Sequence, residues 1–204
     1  AATGNLVGVN KRIINLNNGS GNVGIYALDV ENTNDIMGMN HYEILGENTA
    51  NGTINVAGTN VGMMAQDDSG TPSQNYETII QNSGTINVVG TKSIGMYTKD
   101  QYSKAKQLAG TIAVSSNNVG VVNNGEFKFT GGKITANGTN SVGVYSANGI
   151  NSTTEIGNGT ANSATLNVTD GGVGLYADAG STQTLKGLNA TVLGTSSAGS
   201  ILFY

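Results

Sequence analysis

The sequence predicts an all-β chain wound as a parallel β-helix, a solenoid of about eight coils with roughly 24 residues per coil. Two recurring patterns and one compositional fact carry that prediction. The first pattern is Val-Gly-x-Tyr: Val23-Gly24-Ile25-Tyr26, Val61-Gly62-Met63-Met64, Ile94-Gly95-Met96-Tyr97, Val119-Gly120-Val121-Val122, Val142-Gly143-Val144-Tyr145 and Val173-Gly174-Leu175-Tyr176. Weaker copies surround Gly8, Gly38 and Gly199, and the nine glycines are separated by 16, 14, 24, 33, 25, 23, 31 and 25 residues. The second pattern, Gly-Thr-Ile-Asn-Val, occurs at 52–56 and 84–88, with variants at 110–114, 133–136 and 165–168. Its first apolar residue precedes the next motif glycine by 8 or 9 positions in every copy.

Both patterns alternate with period 2, as a strand with one buried face does. Strands of about five residues cannot bury that face alone, so successive units must stack on one another. Stacking places Ile54, Ile86, Ile112, Ile134 and Leu166 in one ladder at about 4.8 Å per coil. In Val-Gly-x-Tyr the same alternation puts Val and x inside and Gly and Tyr outside. A propeller blade needs about 40 to 45 residues, and a sandwich gives no reason for near-identical motifs. Gly and Asn at this density disfavour helices.

The composition fits a repeat protein better than an enzyme domain. The 204 residues include 31 Gly and 28 Asn, one Pro, one Arg, no Cys and no Trp, and only 11% are charged. Without cysteine there is no disulfide framework, thiolate zinc site or cysteine nucleophile. A net charge of −4 lacks the basic footprint of a nucleic-acid partner. No stretch is apolar over the roughly 18 residues of a membrane helix, and the first residues lack a signal-peptide pattern. The apolar run at 200–204 and the unremarkable start read as cuts through a longer protein, the whole of 1–204 being a single β-helix segment.

At Gly138-Thr139-Asn140-Ser141-Val142-Gly143-Val144-Tyr145, matched by 58–64 and 90–97 and preceded by the Gly-Thr-Ile-Asn-Val units, the repeat resembles the passenger domains of very large fusobacterial type Va autotransporter adhesins, the galactose-inhibitable and arginine-inhibitable ones. The resemblance spans the chain apart from residues 1–50, where intervals of 16 and 14 predict irregular coils. It implies a right-handed β-helix, export through an outer-membrane barrel, display at the cell surface, and attachment to a host glycan or protein or to another bacterium. The zero cysteine count fits threading through a pore. Such a repeat builds the shaft whatever the ligand, so a purely structural role stands beside the binding role.

Candidate contact residues fall in two groups. Tyr26, Tyr97, Tyr145 and Tyr176, with Met64 and Val122 between them, form a predicted surface ladder beside a floor of glycines, either a platform for sugar rings or plain structural packing. The stretches 66–76, 99–107 and 148–163 interrupt the repeat, and loops on a rigid scaffold commonly carry recognition. The second group is therefore Asp67, Asp68, Tyr76, Lys99, Tyr102 and Lys104, with Tyr97 as an apolar anchor. Lys92, Lys99, Lys104 and Lys106 are expected to gather near Asp67 and Asp68, unless they are ordinary solvated charges.

Catalysis has little support. His41 is the only histidine, and no nucleophile motif or histidine pair occurs. Glu126 and Glu155, at similar offsets before successive glycines, are the one carboxylate pair that could stack at the roughly 5 Å of a retaining glycosidase. A glycan-cleaving solenoid is thus a remote alternative. Asp29, Glu31, Asn34 and Asp35 could crowd one turn, but oxygen-rich turns are common in such a composition, and no metal or cofactor is expected. Asn-x-Ser/Thr occurs seven times, as chance predicts for so much Asn and Thr.

Overall fold

A computed structural model describes residues 2–17, 19–29, 39–68, 76–147, 152–194 and 199–204. Every described element is a strand, and the chain is a parallel β-helix of three sheets. Sheet A contains β1 (Ala2–Asn10), β4 (Met39–Asn48), β7 (Tyr76–Asn82), β10 (Lys104–Gln107), β13 (Glu126–Phe129), β16 (Thr153–Ile156) and β19 (Thr182–Leu185). Sheet B contains β2 (Ile13–Leu16), β5 (Thr53–Val56), β8 (Thr85–Val88), β11 (Thr111–Val114), β14 (Lys133–Asn137), β17 (Ala164–Thr169) and β20 (Leu188–Leu193). Sheet C contains β3 (Ser20–Asp29), β6 (Thr59–Asp67), β9 (Ile94–Thr98), β12 (Val119–Asn123), β15 (Val142–Ser146), β18 (Val173–Ala177) and β21 (Ile201–Phe203). Each coil visits A, B and C once, and every pairing is parallel to the coil before and after.

The predicted ladder forms in sheet B. Ile14, Ile54, Ile86, Ile112, Ile134, Leu166 and Ala190 are consecutive partners, and the five predicted members are fully buried. Leu16, Val56, Val88, Val114, Ala136, Val168 and Val192 make a second ladder two residues on. The residues between them point outward, where the Asn87 amide donates to Asn55 and the Asn55 amide to Asn15, each at 2.8 Å.

The coil count is seven rather than eight. Gly8 lies in β1 of sheet A, and Gly199 lies outside any strand, so neither is a copy of the sheet C motif. Gly38 falls outside the described residues. The seventh copy is Ile201-Leu202-Phe203-Tyr204, because Ile201 pairs with Val173 and Phe203 with Leu175. From Val23 to Ile201 the chain advances 178 residues in six steps, about 30 per coil rather than 24. At about 4.8 Å per rung the stack is about 29 Å long. Within residues 1–50, β1 pairs with β4 along its whole length with a register shift after Ala2, β2 pairs with β5, and β3 pairs with β6 with a register shift between Ser20 and Val23.

Sheet C departs from strict alternation. In Val-Gly-x-Tyr the Gly and x residues are both buried, whereas Val and Tyr are half-buried on the outside. Strand pairing steps from Val119 and Val142 directly to Val121 and Val144, which leaves the glycine turned inward. A Cβ on Gly120 would lie 2.5 Å from the Gly143 carbonyl oxygen and 2.9 Å from Val114 Cγ2. No side chain fits there. The glycines are therefore core residues, and the expected glycine floor beside the tyrosines does not exist.

Buried polar ladders join the apolar ones. Asn10, Asn48, Asn82 and Gln107 line one inner corner, each amide donating to the next at 2.7 to 2.8 Å. Buried polar groups cost stability unless paired, and here each coil pairs with the following one. In the next rung of sheet A the position passes to Phe129, which packs with Phe127.

Candidate functional site

Outside the core, the three sheets present chemically different faces. Sheet A is charged. Lys104 pairs with Glu77 at 2.6 Å, Lys128 with Glu126 at 2.6 Å and Lys186 with Glu155 at 2.7 Å. Glu126 is register partner of Lys104 and Thr153, while Glu155 is partner of Lys128. The two glutamates are thus not stacked, which removes the carboxylate pair proposed from their spacing. Lys186, with Lys128 nearby, holds the Glu155 carboxyl below its ordinary range. Sheet B presents mainly Thr and Asn, with Ile13, Ala113 and one lysine, Lys133.

Sheet C is the apolar face. Its outer positions form two columns, one running from Val23 through Ile94 and Val142 to Ile201, the other through Tyr26, Met64, Tyr97, Val122, Tyr145 and Tyr176. The expected tyrosine ladder is therefore in register. Tyr145 and Tyr176 meet edge to face with centroids 5.1 Å apart, and Tyr176 stacks on Tyr204 at 4.9 Å. Tyr204 extends the ladder; its signal in the sequence was the apolar run ending in Tyr.

A polar edge runs beside these rings. The Tyr26 hydroxyl donates to Gln66, and the Tyr145 hydroxyl donates to Asp178 Oδ2 at 2.9 Å. Asn124 donates to the Tyr97 oxygen at 3.4 Å. In each case the partner lies one coil on and two residues past the tyrosine position. The Asp178 contact, then burial, raises the Tyr145 hydroxyl above its ordinary pKa.

This edge leads into the ridge where sheet C hands over to sheet A. Along the chain nine residues separate β3 from β4 and eight separate β6 from β7, the widest spacings between consecutive described strands. The ridge also holds most of the predicted contact residues. Asp68 and Lys99 are exposed and Tyr102 is half-buried. Asp67 is not a surface group, at 5% exposure, and its backbone N–H donates to Asp100 Oδ2 at 2.8 Å. Asp100 also accepts from the N–H groups of Tyr102 and Ser103 at 3.0 and 2.9 Å, which fixes the turn. Burial and then Asp67 raise the Asp29 carboxyl, and burial, Asp68 and Asp100 raise Tyr26. The site is thus acidic.

The lysine cluster does not assemble. Lys99 lies on this ridge, Lys104 and Lys106 lie on strand β10 of sheet A, and Lys92 sits at the opposite corner between sheets B and C. The 99–107 excursion is really a five-residue connection followed by a strand, and 153–156 within the expected 148–163 loop is strand β16. Tyr76 begins β7, and its side chain lies outside what is described. Glu31, Asn34 and Asp35, raised as cation ligands, also lie outside the described residues. Among the described residues no three His, Cys, Asp or Glu side chains could hold a metal ion.

No family model, curated protein or solved structure gives a match to this chain.

Proposed function

We propose that the chain is part of a bacterial surface adhesin, a rigid β-helix that presents a contact ridge to a glycan or protein on a host cell or another bacterium. The observation that carries this reading is the ridge between sheets C and A, where Asp68 and Lys99 are exposed and Tyr102 is half-buried beside them. A scaffold whose every described strand is paired can hold such side chains at fixed spacing. The likeness of its repeat to type Va autotransporter passengers supports placement at the cell surface.

A second reading, a shaft that supplies only length, draws support from the sheet A ion pairs and the tyrosine hydroxyl contacts, which turn polar groups toward the chain itself. The two readings separate in a binding assay of this chain on host cells, with competing sugars or free arginine. In the adhesin reading, Lys99→Ala with Tyr102→Ala weakens binding at least tenfold, about 1.4 kcal/mol, with an unchanged circular dichroism spectrum. If residues 99–103 can be replaced by the two-residue connection Asn124-Gly125 of the next coil without loss of binding, the ridge is only a corner and the shaft reading holds.

A further inference from the structure

Three successive rungs of the tyrosine column carry a feature that the ridge does not use. Tyr145 and Tyr176 meet edge to face with centroids 5.1 Å apart, whereas Tyr176 and Tyr204 lie nearly parallel, with 19° between their planes and 4.9 Å between centroids. Elsewhere in the column the rings are separated: Met64 stands between Tyr26 and Tyr97, and Val122 between Tyr97 and Tyr145. The backbone holds the stacked pair in register, because the Tyr204 N–H donates to the Leu175 carbonyl at 2.9 Å and the Ala177 N–H to the Tyr204 carbonyl at 3.0 Å. One phenol also faces a base. The Tyr145 hydroxyl donates to Asp178 Oδ2 at 2.9 Å, and a carboxylate takes up a proton far more readily than an amide does.

We propose that Tyr176 and Tyr204 form an oxidative modification site, joined as a dityrosine by a one-electron oxidant of the haem peroxidase class acting with hydrogen peroxide, and that Tyr145 with Asp178 is an entry point for the oxidising equivalent. Composition directs such an oxidant to phenols. The chain has no cysteine and no tryptophan to divert it, and Met63 and Met96 are fully buried. Tyr204 is 69% exposed and open to direct oxidation.

Each oxidised phenol gives one electron to the oxidant and releases its hydroxyl proton. At Tyr145 that proton passes to Asp178; when Tyr176 returns an electron to the Tyr145 ring the proton goes back, so the radical moves to Tyr176, whose own hydroxyl proton leaves to solvent. The phenoxyl radicals of Tyr176 and Tyr204 then join through ring carbons ortho to their oxygens. A carbon–carbon bond forms, the two ring C–H bonds at the junction break, and those protons move to the oxygens to restore two phenols. In all, two electrons and two protons leave the protein and convert one hydrogen peroxide to two waters. Near-parallel stacking sets ortho carbons of the two rings face to face, whereas the 66° between Tyr145 and Tyr176 presents an edge to a face and favours electron transfer over coupling. The new bond ties β21 to β18, partner strands of sheet C.

Treatment of the whole folded chain with peroxidase and hydrogen peroxide, followed by trypsin and mass mapping, tests this, since Lys186 lies between the two tyrosines and cleavage there separates them. The expected product is a monomer lighter by two hydrogen atoms, with dityrosine fluorescence and a cross-link between the peptides that hold Tyr176 and Tyr204. Tyr204→Phe removes that link. Tyr145→Phe and Asp178→Asn each slow its formation several-fold, and Tyr97→Phe leaves the rate unchanged, with circular dichroism and melting temperature recorded to show that all four variants fold. An oxidised chain without the Tyr176–Tyr204 link overturns the proposal, as does a link that forms only between chains and runs as a dimer on a denaturing gel. Equal yield from the chain unfolded in urea overturns the stacked geometry as its cause, and a rate indifferent to both Tyr145→Phe and Asp178→Asn overturns the entry point.

Discussion

A single backbone feature decides what each residue of the sheet C motif can be. Because the glycine turns inward against the carbonyl of the next coil, Gly120→Ala should cost about 1–3 kcal/mol through overpacking, read as a lower denaturation midpoint with an unchanged slope. The opposite sign is expected at Lys92, which holds a left-handed conformation with φ of 60°. Asn117 and Asn140 occupy the same corner with φ of 62° and 60°, and asparagine tolerates that region better than lysine. Lys92→Asn should therefore raise stability by a few tenths to about 1 kcal/mol. Asp29 has a carboxyl whose folded pKa lies above its unfolded one, first through burial and then through Asp67. Such a group opposes folding above the carboxylate range, and the opposition fades as pH falls through the raised folded value. Asp29→Asn should then melt higher than the parent at neutral pH, with the gap closing in acid; a gap that widens in acid would contradict the assigned cause.

The strands differ in how openly the sequence displays them. Sheet B was the most legible, five of its seven strands being read from the Thr-Ile-Asn-Val alternation, whose isoleucines are buried where period 2 puts them; β2 and β20 at its ends were not seen. Ile112→Ala should cost about 2–5 kcal/mol, whereas Ala113→Thr on the outer side should change stability by less than about 0.5 kcal/mol. Sheet C was legible as a strand but not in its facing, because the glycine breaks the alternation and glycine itself has no polarity to reveal which way it points. Sheet A was the least visible. Lys104-Ala105-Lys106-Gln107 buries Ala105 and Gln107, and a buried glutamine reads as a loop residue until its partner Asn82 is known. The same blindness hid the Asn10, Asn48, Asn82 and Gln107 ladder, whose members are joined to one another by amide bonds between residues 25 to 38 positions apart. Of the predicted contact residues, Asp68, Lys99 and Tyr102 do share one ridge. Lys104 was lost to Glu77, because the fate of a charge depends on strand register rather than on nearness in the chain.

As a whole molecule the chain is a stack in which each coil touches only the coils on either side, so its stability is close to a sum of coil and interface contributions. That property allows a test of the architecture by subtraction. Val119 and Val142 are direct partners on adjacent rungs, so removing residues 119–141 joins Asn118 to Val142 and takes out one complete turn of 23 residues. The surviving faces are compatible: Ile94 then meets Val142, Ile112 meets Leu166, and Lys106 meets Glu155, an opposite-charge pair in place of Lys106 beside Lys128. What is lost is the Phe127 and Phe129 pair, so the shortened chain should fold with β-sheet content near the parent value and a lower melting temperature. Removing half as many residues, 119–130, leaves the chain entering sheet B where sheet C is required, and each following strand would face the wrong ladder. That variant should lose cooperative unfolding altogether. If both deletions behave alike in a thermal melt, either both cooperative or both unfolded, the coils are not interchangeable units and the additive picture of this solenoid fails.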